Sequence, residues 1–252
     1  MALVAGADVG AAVRIGVAMT LLQLGIGTLN DVVDAPADAG LKPGKPIPAG
    51  IVGERDARRL VVLLFTAGVV VSASVAVILV PLAVIVIGIG LAYDLRLKGT
   101  AWSWLPFAVG IPVLPVFGWL GAAGSLPSAF AVLIPAAVAA GAALAIGNSL
   151  VDVERDLAAG RSSIAARLGR RAAAAVATAL FLAVAVAAIV TAVGWGRSMA
   201  TVLPLVACGL VAVTSSAVAG RAAPAGREWA WRAEAIAMGA LAVCWLAAVP
   251  LT

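Results

Sequence analysis

Eight mostly apolar stretches decide what this chain can become; they cover roughly residues 9–30, 58–75, 76–93, 102–123, 128–151, 171–194, 198–220 and 232–250. Each is close to the ~20 residues that cross the hydrocarbon of a bilayer as one helix. With 63% of residues hydrophobic and 12% charged, there is too little polar side chain to coat such a body in water. A mean hydropathy of +1.13 agrees. The expected fold class is therefore all-α, a polytopic membrane helical bundle of eight transmembrane helices. A single integral-membrane domain is expected over residues 1–252. A water-soluble globular enzyme and a disordered tail are both excluded.

Charge sets the topology. Fifteen of the 17 Lys and Arg residues fall in alternate connections, from Lys42 and Lys45 in the first to Arg221, Arg227 and Arg232 in the last. Arg14 lies within the first stretch and Arg197 on the opposite side. By the positive-inside rule the charged face is expected to be cytoplasmic, in the cell (inner) membrane. The net charge of +5 then reads as a topology signal, so membrane lipid is an expected partner and nucleic acid is not. All acids but Asp8 lie on or near the same face. Helix centres so poor in ionisable groups argue against transport of a polar solute. Trp102, Trp104, Trp119, Trp195, Trp229 and Trp231 fall near predicted helix ends and read as interfacial anchors.

No His is present, and Cys208 and Cys244 stand alone in apolar runs. Imidazole catalysis and His- or Cys-built zinc sites are thereby excluded, and any metal must be held by oxygen. Two acidic clusters offer that oxygen. The first stretch continues into GTLNDVVDAPADAG, where Asn30, Asp34 and Asp38 are spaced i, i+4, i+8 and Asp31 precedes Asp34 by three. A helical continuation gathers most of these side chains on one face; Pro36 is expected to end or bend the helix there. The fifth stretch runs into GNSLVDVERDLAAG, with Asp152 and Asp156 again i, i+4 and Glu154 directed away from them. Each cluster closes a helix at the negative end of its dipole, where carboxylates are disfavoured by about 0.3–1 kcal/mol. Mg²⁺ relieves that repulsion, since it prefers carboxylate oxygen and commonly bridges one or two carboxylates to substrate phosphates. Lys42, Lys45, Lys98 and Arg155 stand ready to meet the remaining phosphate charge, with Arg58 and Arg59 behind them.

These residues resemble the UbiA superfamily of intramembrane prenyltransferases. Asn30, Asp31, Asp34 and Asp38 match the family's N-D-x-x-D-x-x-x-D motif without a gap, and Asp152 and Asp156 match its D-x-x-x-D, followed by Gly160 and Ser163. KPIPAG with Lys45 and YDLRLKG with Tyr93 and Lys98 are similar to later family signatures. The resemblance implies a Mg²⁺-dependent transfer of a polyprenyl group from a polyprenyl diphosphate donor to an acceptor whose identity no motif gives. It implies metal ions on Asn30, Asp31, Asp34, Asp38, Asp152 and Asp156, with Asp31, Asp34, Asp152 and Asp156 central to catalysis. It implies diphosphate contacts from Asn30, Lys42, Lys45, Tyr93, Lys98 and Arg155. The family usually has nine spanning helices, one of them ahead of the N-D motif, whereas Asn30 here follows a single span. Either a helix precedes residue 1 or this is a reduced member. A terpene cyclase of the same superfamily uses the same acids, and a non-catalytic lipid-binding or transport protein is the alternative from another class.

Overall fold

The computed structural model describes residues 1–40 and 44–250, and among them there is no strand. The order is α1 (Val9–Asp38), α2 (Glu54–Val75), α3 (Leu79–Ala92) running into a π-helical turn (Tyr93–Leu97), α4 (Leu105–Ala123), α5 (Phe130–Val151), the short α6 (Val153–Ala158) and α7 (Ile164–Leu168), α8 (Arg170–Gly194), α9 (Met199–Ala219) and α10 (Pro224–Ala247). Eight of these are long and apolar enough to cross a membrane, as the hydropathy pattern predicts. The protein is an integral membrane protein with an all-helical fold.

The helix ends follow local chemistry. Asp8 caps α1 by accepting the Ala11 N–H at 2.9 Å. Pro81 falls in the first turn of α3, where its missing N–H costs nothing, so it marks a start rather than a break. Two expectations are corrected. First, Pro36 does not end α1, which continues to Asp38 before Ala39 and the positive-φ Gly40 close it. At 30 residues α1 is about 45 Å long, against about 30 Å of hydrocarbon. The surplus is close to the roughly two and a half turns that carry Asn30 to Asp38. Second, α10 starts at Pro224, ahead of the predicted residue 232, because a proline at the first helical position is preset for helix. Glu234 is therefore eleventh in its helix, about 15 Å along it, and 1% exposed.

The chain divides into two compact units. The amino-terminal unit comprises Ala2–Arg96 and Val116–Ser125. In it α1 packs against α2 and α3 through glycines: a Cβ at Gly68 would lie 2.8 Å from the Leu22 side chain, and one at Gly90 2.6 Å from Ile26. In lipid the helices gain nothing by hiding apolar surface from each other, so such close approach is what holds them. Arg14, inside α1, donates to the Ser74 carbonyl at 3.1 Å, at the end of α2, where the helix dipole favours a cation. Trp119 is 1% exposed, so it is a core residue and not an interfacial anchor.

The carboxyl-terminal unit comprises Met1, Leu97–Pro115 and Leu126–Thr252. Here α5, α8, α9 and α10 form the body, again on small residues: a Cβ at Gly209 would meet Ala185 at 2.7 Å, and one at Gly220 would meet Ala174 at 2.9 Å. Trp231 Nε1 donates to the Leu144 carbonyl at 3.3 Å and Trp245 Nε1 to Thr191 Oγ1 at 2.9 Å, fastening α10 to α5 and α8. Large apolar side chains such as Val190, Ile236 and Val243 face outward, as a lipid-bathed surface requires.

Candidate functional site

In the amino-terminal unit, continuation of α1 to Asp38 puts Asn30, Asp34 and Asp38 on one helical face with Asp31 beside them. The chain then returns, and Lys45 brings its ammonium back onto the motif. Nζ donates to Asp31 Oδ1 in a short ion pair and stands 3.6 Å from Asp38 Oδ2. The hydrogen bond to Asp31 holds the Lys45 ammonium above the ordinary lysine range; burial opposes it, and the charges of Asp31, Asp38 and Asp34 add to it. Asp38 is 6% exposed, which is deep for a carboxylate at a helix end. Asn30 uses its amide nitrogen on Asp94 Oδ1 at 2.7 Å, which leaves its own carbonyl oxygen for another partner.

Asp94, 6% exposed, is a residue that the motif search missed. It follows Tyr93 in the π-helical turn that ends α3, with a buried carboxyl that orients Asn30. Its visible signal was its place in YDLRLKG, beside Tyr93 at the end of an apolar span, where only Tyr93 and Lys98 were given a role. Tyr93 is half-buried in the same turn. Lys42 lies outside the described residues.

In the carboxyl-terminal unit the second motif straddles a break. α5 ends at Val151, Asp152 takes φ −98° and ψ 7°, and α6 carries Asp156. The Asp156 N–H still donates to the Asp152 carbonyl at 2.9 Å, so the i, i+4 relation survives the break. Arg155 Nη1 donates to Asp152 Oδ1 at 2.9 Å, so this predicted diphosphate ligand rests on its own motif. Arg161, which sequence reasoning passed over, stands 3.8 Å from Asp156 Oδ1 and donates its backbone N–H to the Asp156 carbonyl at 2.8 Å. Its side chain also covers Gly99, where a Cβ would lie 3.1 Å from Arg161 Cδ. That contact brings the loop holding the half-buried Lys98 to the second motif. Ser149 Oγ accepts the Ala165 N–H at 3.2 Å and so folds the segment after Asp156 back onto α5.

Every candidate ligand is a hard oxygen donor, and the first motif already closes on a positive charge, the Lys45 ammonium. Among the described residues no three acids form a ready-made metal cage. Mg²⁺ does not require one, since it keeps water and commonly bridges one or two carboxylates to substrate phosphates. The second motif offers two carboxylates, each beside an arginine. Both sets fit a hard cation that is completed by an anionic ligand.

A model of the UbiA prenyltransferase family matches residues 1–232. The digeranylgeranylglyceryl phosphate synthase of Methanopyrus kandleri is 33% identical over 190 residues, covering 73% of this chain and 68% of that protein. The synthase of the same description from Methanothrix thermoacetophila is 31% identical over 160 residues, covering 61% of this chain but only 57% of that protein. Among solved structures, a UbiA homologue from Aeropyrum pernix superposes with a TM-score of 0.80 at 18% identity, covering 96% of this chain and 92% of that one. A UbiA homologue from Archaeoglobus fulgidus, bound to DMAPP and Mg²⁺, superposes with a TM-score of 0.68 at 13% identity, covering 95% of this chain and 90% of that one.

Proposed function

The chain belongs to the UbiA prenyltransferase family, and from that premise we propose that it transfers a polyprenyl group from a polyprenyl diphosphate to an acceptor within the membrane, with Mg²⁺ held by the acids of each motif. The observation that carries the reading is the way both motifs pair carboxylates with cationic side chains: Lys45 bridges Asp31 and Asp38, and Arg155 and Arg161 attend Asp152 and Asp156. Such a set accepts a divalent cation and a diphosphate together. The relatives named for digeranylgeranylglyceryl phosphate make a prenylated glycerol phosphate the first acceptor to try. The charged face is cytoplasmic, by the loop bias in Lys and Arg.

Bound Mg²⁺ would supply Lewis-acid stabilisation of the leaving diphosphate. The chain's own residues do the rest. Asn30, Asp31, Asp34 and Asp38 on α1, and Asp152 and Asp156 around the α5–α6 break, supply oxygen. Lys45, Lys98, Arg155 and Arg161 supply N–H donors to diphosphate oxygens as the C–O bond to the prenyl group breaks and its electron pair leaves with the diphosphate. Asp94 keeps Asn30 in place. The apolar spans receive the isoprenoid tail and keep water from the allylic cation until the acceptor's oxygen or carbon forms the new bond and loses its proton.

The test is incubation of the purified protein with geranylgeranyl diphosphate and Mg²⁺, with and without an acceptor panel led by a prenylated glycerol phosphate. A prenylated product that needs both acceptor and Mg²⁺ is expected. A hydrocarbon or alcohol product formed equally without acceptor would overturn transfer in favour of cyclisation.

A further inference from the structure

Glu154 is the odd acid of the second motif, and the structure gives it two basic partners. Its Oε2 takes a short ion pair from Arg227 Nη2, and its Oε1 lies 3.4 Å from Arg170 Nη1. Arg227 is unusual. Its side chain is wholly buried, it lies in the first turn of α10, and its Nη1 donates to the Ala222 carbonyl at 2.9 Å. A cation there faces two penalties, loss of water and the positive end of the helix dipole. Its Nε has no hydrogen-bond partner, so Glu154 is the carboxylate that meets this buried charge, through Nη2. Arg227 belongs to no motif of the family resemblance.

The short helix it grips cannot hold its own setting. α6 has six residues, fewer than two turns, and is joined to α5 only through the non-helical Asp152. Its rotation about its own axis must therefore come from side-chain anchors. Glu154 is two residues from both Asp152 and Asp156, and two residues turn a helix about 200°, so it occupies the face opposite to them. Drawing Glu154 toward α10 turns the two aspartates the other way.

We infer that Arg227, through Glu154, is a positioning residue that sets the rotation of α6 and so aims Asp152 and Asp156 at the cation and diphosphate. This rests on the proposed Mg²⁺ role of the second motif. Metal ligands commonly depend on such outer partners, whose loss weakens metal affinity by about 10- to 100-fold.

The test titrates Mn²⁺, a paramagnetic stand-in for Mg²⁺, by electron paramagnetic resonance with inorganic diphosphate present. The detergent-purified full chain carries Asp31→Asn, Asp34→Asn and Asp38→Asn, so that the carboxylates left to bind are those of the second motif. Glu154→Gln and Arg227→Met are each expected to weaken Mn²⁺ binding by roughly 10- to 100-fold. The double variant should be no weaker than the worse single one. Glu154→Gln keeps a carbonyl oxygen for Arg227 but removes the counter-charge of a wholly buried guanidinium, so it should also lower the melting temperature, and the Mn²⁺ affinity is the deciding readout. A purely structural ion pair would lower the melting temperature and leave Mn²⁺ affinity alone. If Arg227→Met does not fold, Glu154→Gln carries the test unaided, and Arg227→Lys should restore part of the affinity. Unchanged Mn²⁺ binding in Glu154→Gln, where Asp152→Asn abolishes it, overturns the positioning role alone. If the parent binds no Mn²⁺, or Asp152→Asn binds as well as the parent, the Mg²⁺ reading falls and this inference with it.

Discussion

Asn30, Asp31, Asp34 and Asp38 hang from one uninterrupted helix, whereas Asp152 and Asp156 stand on either side of the break between α5 and α6. In the first motif a single lysine returns from the next connection to span two acids. In the second each acid has its own arginine, and a third acid is drawn away to a buried one. The difference teaches that helical periodicity alone can assemble an acid cluster where the helix is long, but that a short helix needs an anchor from elsewhere in its unit. If both motifs serve one reaction, they should fail to similar degrees when their acids are removed and to different degrees when their supports are.

The largest effect should come from the acids. Asp34→Asn and Asp152→Asn should each lower acceptor prenylation by about 10²- to 10³-fold, the range for removing one electrostatic element of a transition state. Product formation from geranylgeranyl diphosphate checks it. Retention of more than a third of the activity by one variant but not the other would break the equivalence of the motifs.

Next comes the support of the first motif. Asp94→Ala leaves the half-buried Asn30 amide without its acceptor. The Mg²⁺ concentration for half-maximal activity should rise by about 10-fold or more, as for other outer partners of metal ligands. An unchanged Mg²⁺ requirement would show that α1 alone fixes Asn30, which would widen the contrast with the second motif.

These supports mark where sequence reasoning ran out. The eight spans were legible because lipid imposes a length and a composition on each. The acids of α1 were legible because i, i+4, i+8 spacing is itself geometry. Asp94 and Arg227 were not, since each reaches its motif from another part of its unit: Asp94 from 64 residues away to Asn30, Arg227 from 73 away to Glu154. Arg161 is local, five residues after Asp156, but its pairing depends on how the chain turns after α6. Even Pro36 misled, because so near the helix end its missing N–H and its ring disturb only one turn. Glu234 was legible only as an acid near the start of the last apolar stretch. Its deep position against Gly147, where a Cβ would overlap the Glu234 carboxyl, has no counterpart in the sequence pattern.

The basic partners should separate the motifs more modestly. Lys45 is 27% exposed and held by two acids, while the Arg155 side chain is 76% exposed and meets one. Lys45→Met should raise the KM for the donor by about 10-fold, since a partly buried hydrogen bond between charged groups is worth about 1.5–3 kcal/mol. Arg155→Met should raise it by less than about 3-fold, the range of a surface ion pair. Steady-state kinetics with geranylgeranyl diphosphate decides the order, and a larger loss at Arg155 would reverse the assignment of the principal diphosphate contact.

The smallest effect is the pH dependence of the Lys45 contribution. The hydrogen bond to Asp31 raises the Lys45 pKa in the folded protein, so folding favours the protonated ammonium. Its stabilisation is complete below the unfolded lysine value of about 10.4 and disappears only as pH rises through the still higher folded value. The melting temperature of Lys45→Met in detergent should therefore lie below that of the native chain by a constant margin from about pH 7 to 10. A pair worth about 1 kcal/mol corresponds to some 2–4 °C in a chain of this size. Above pH 10 the margin should close, because the native lysine is losing its proton too. A Lys45→Met margin that already closes between pH 8 and 9 would mean that burial outweighs Asp31 at this lysine, and the first motif would then lack the firm cation that sets it apart from the second.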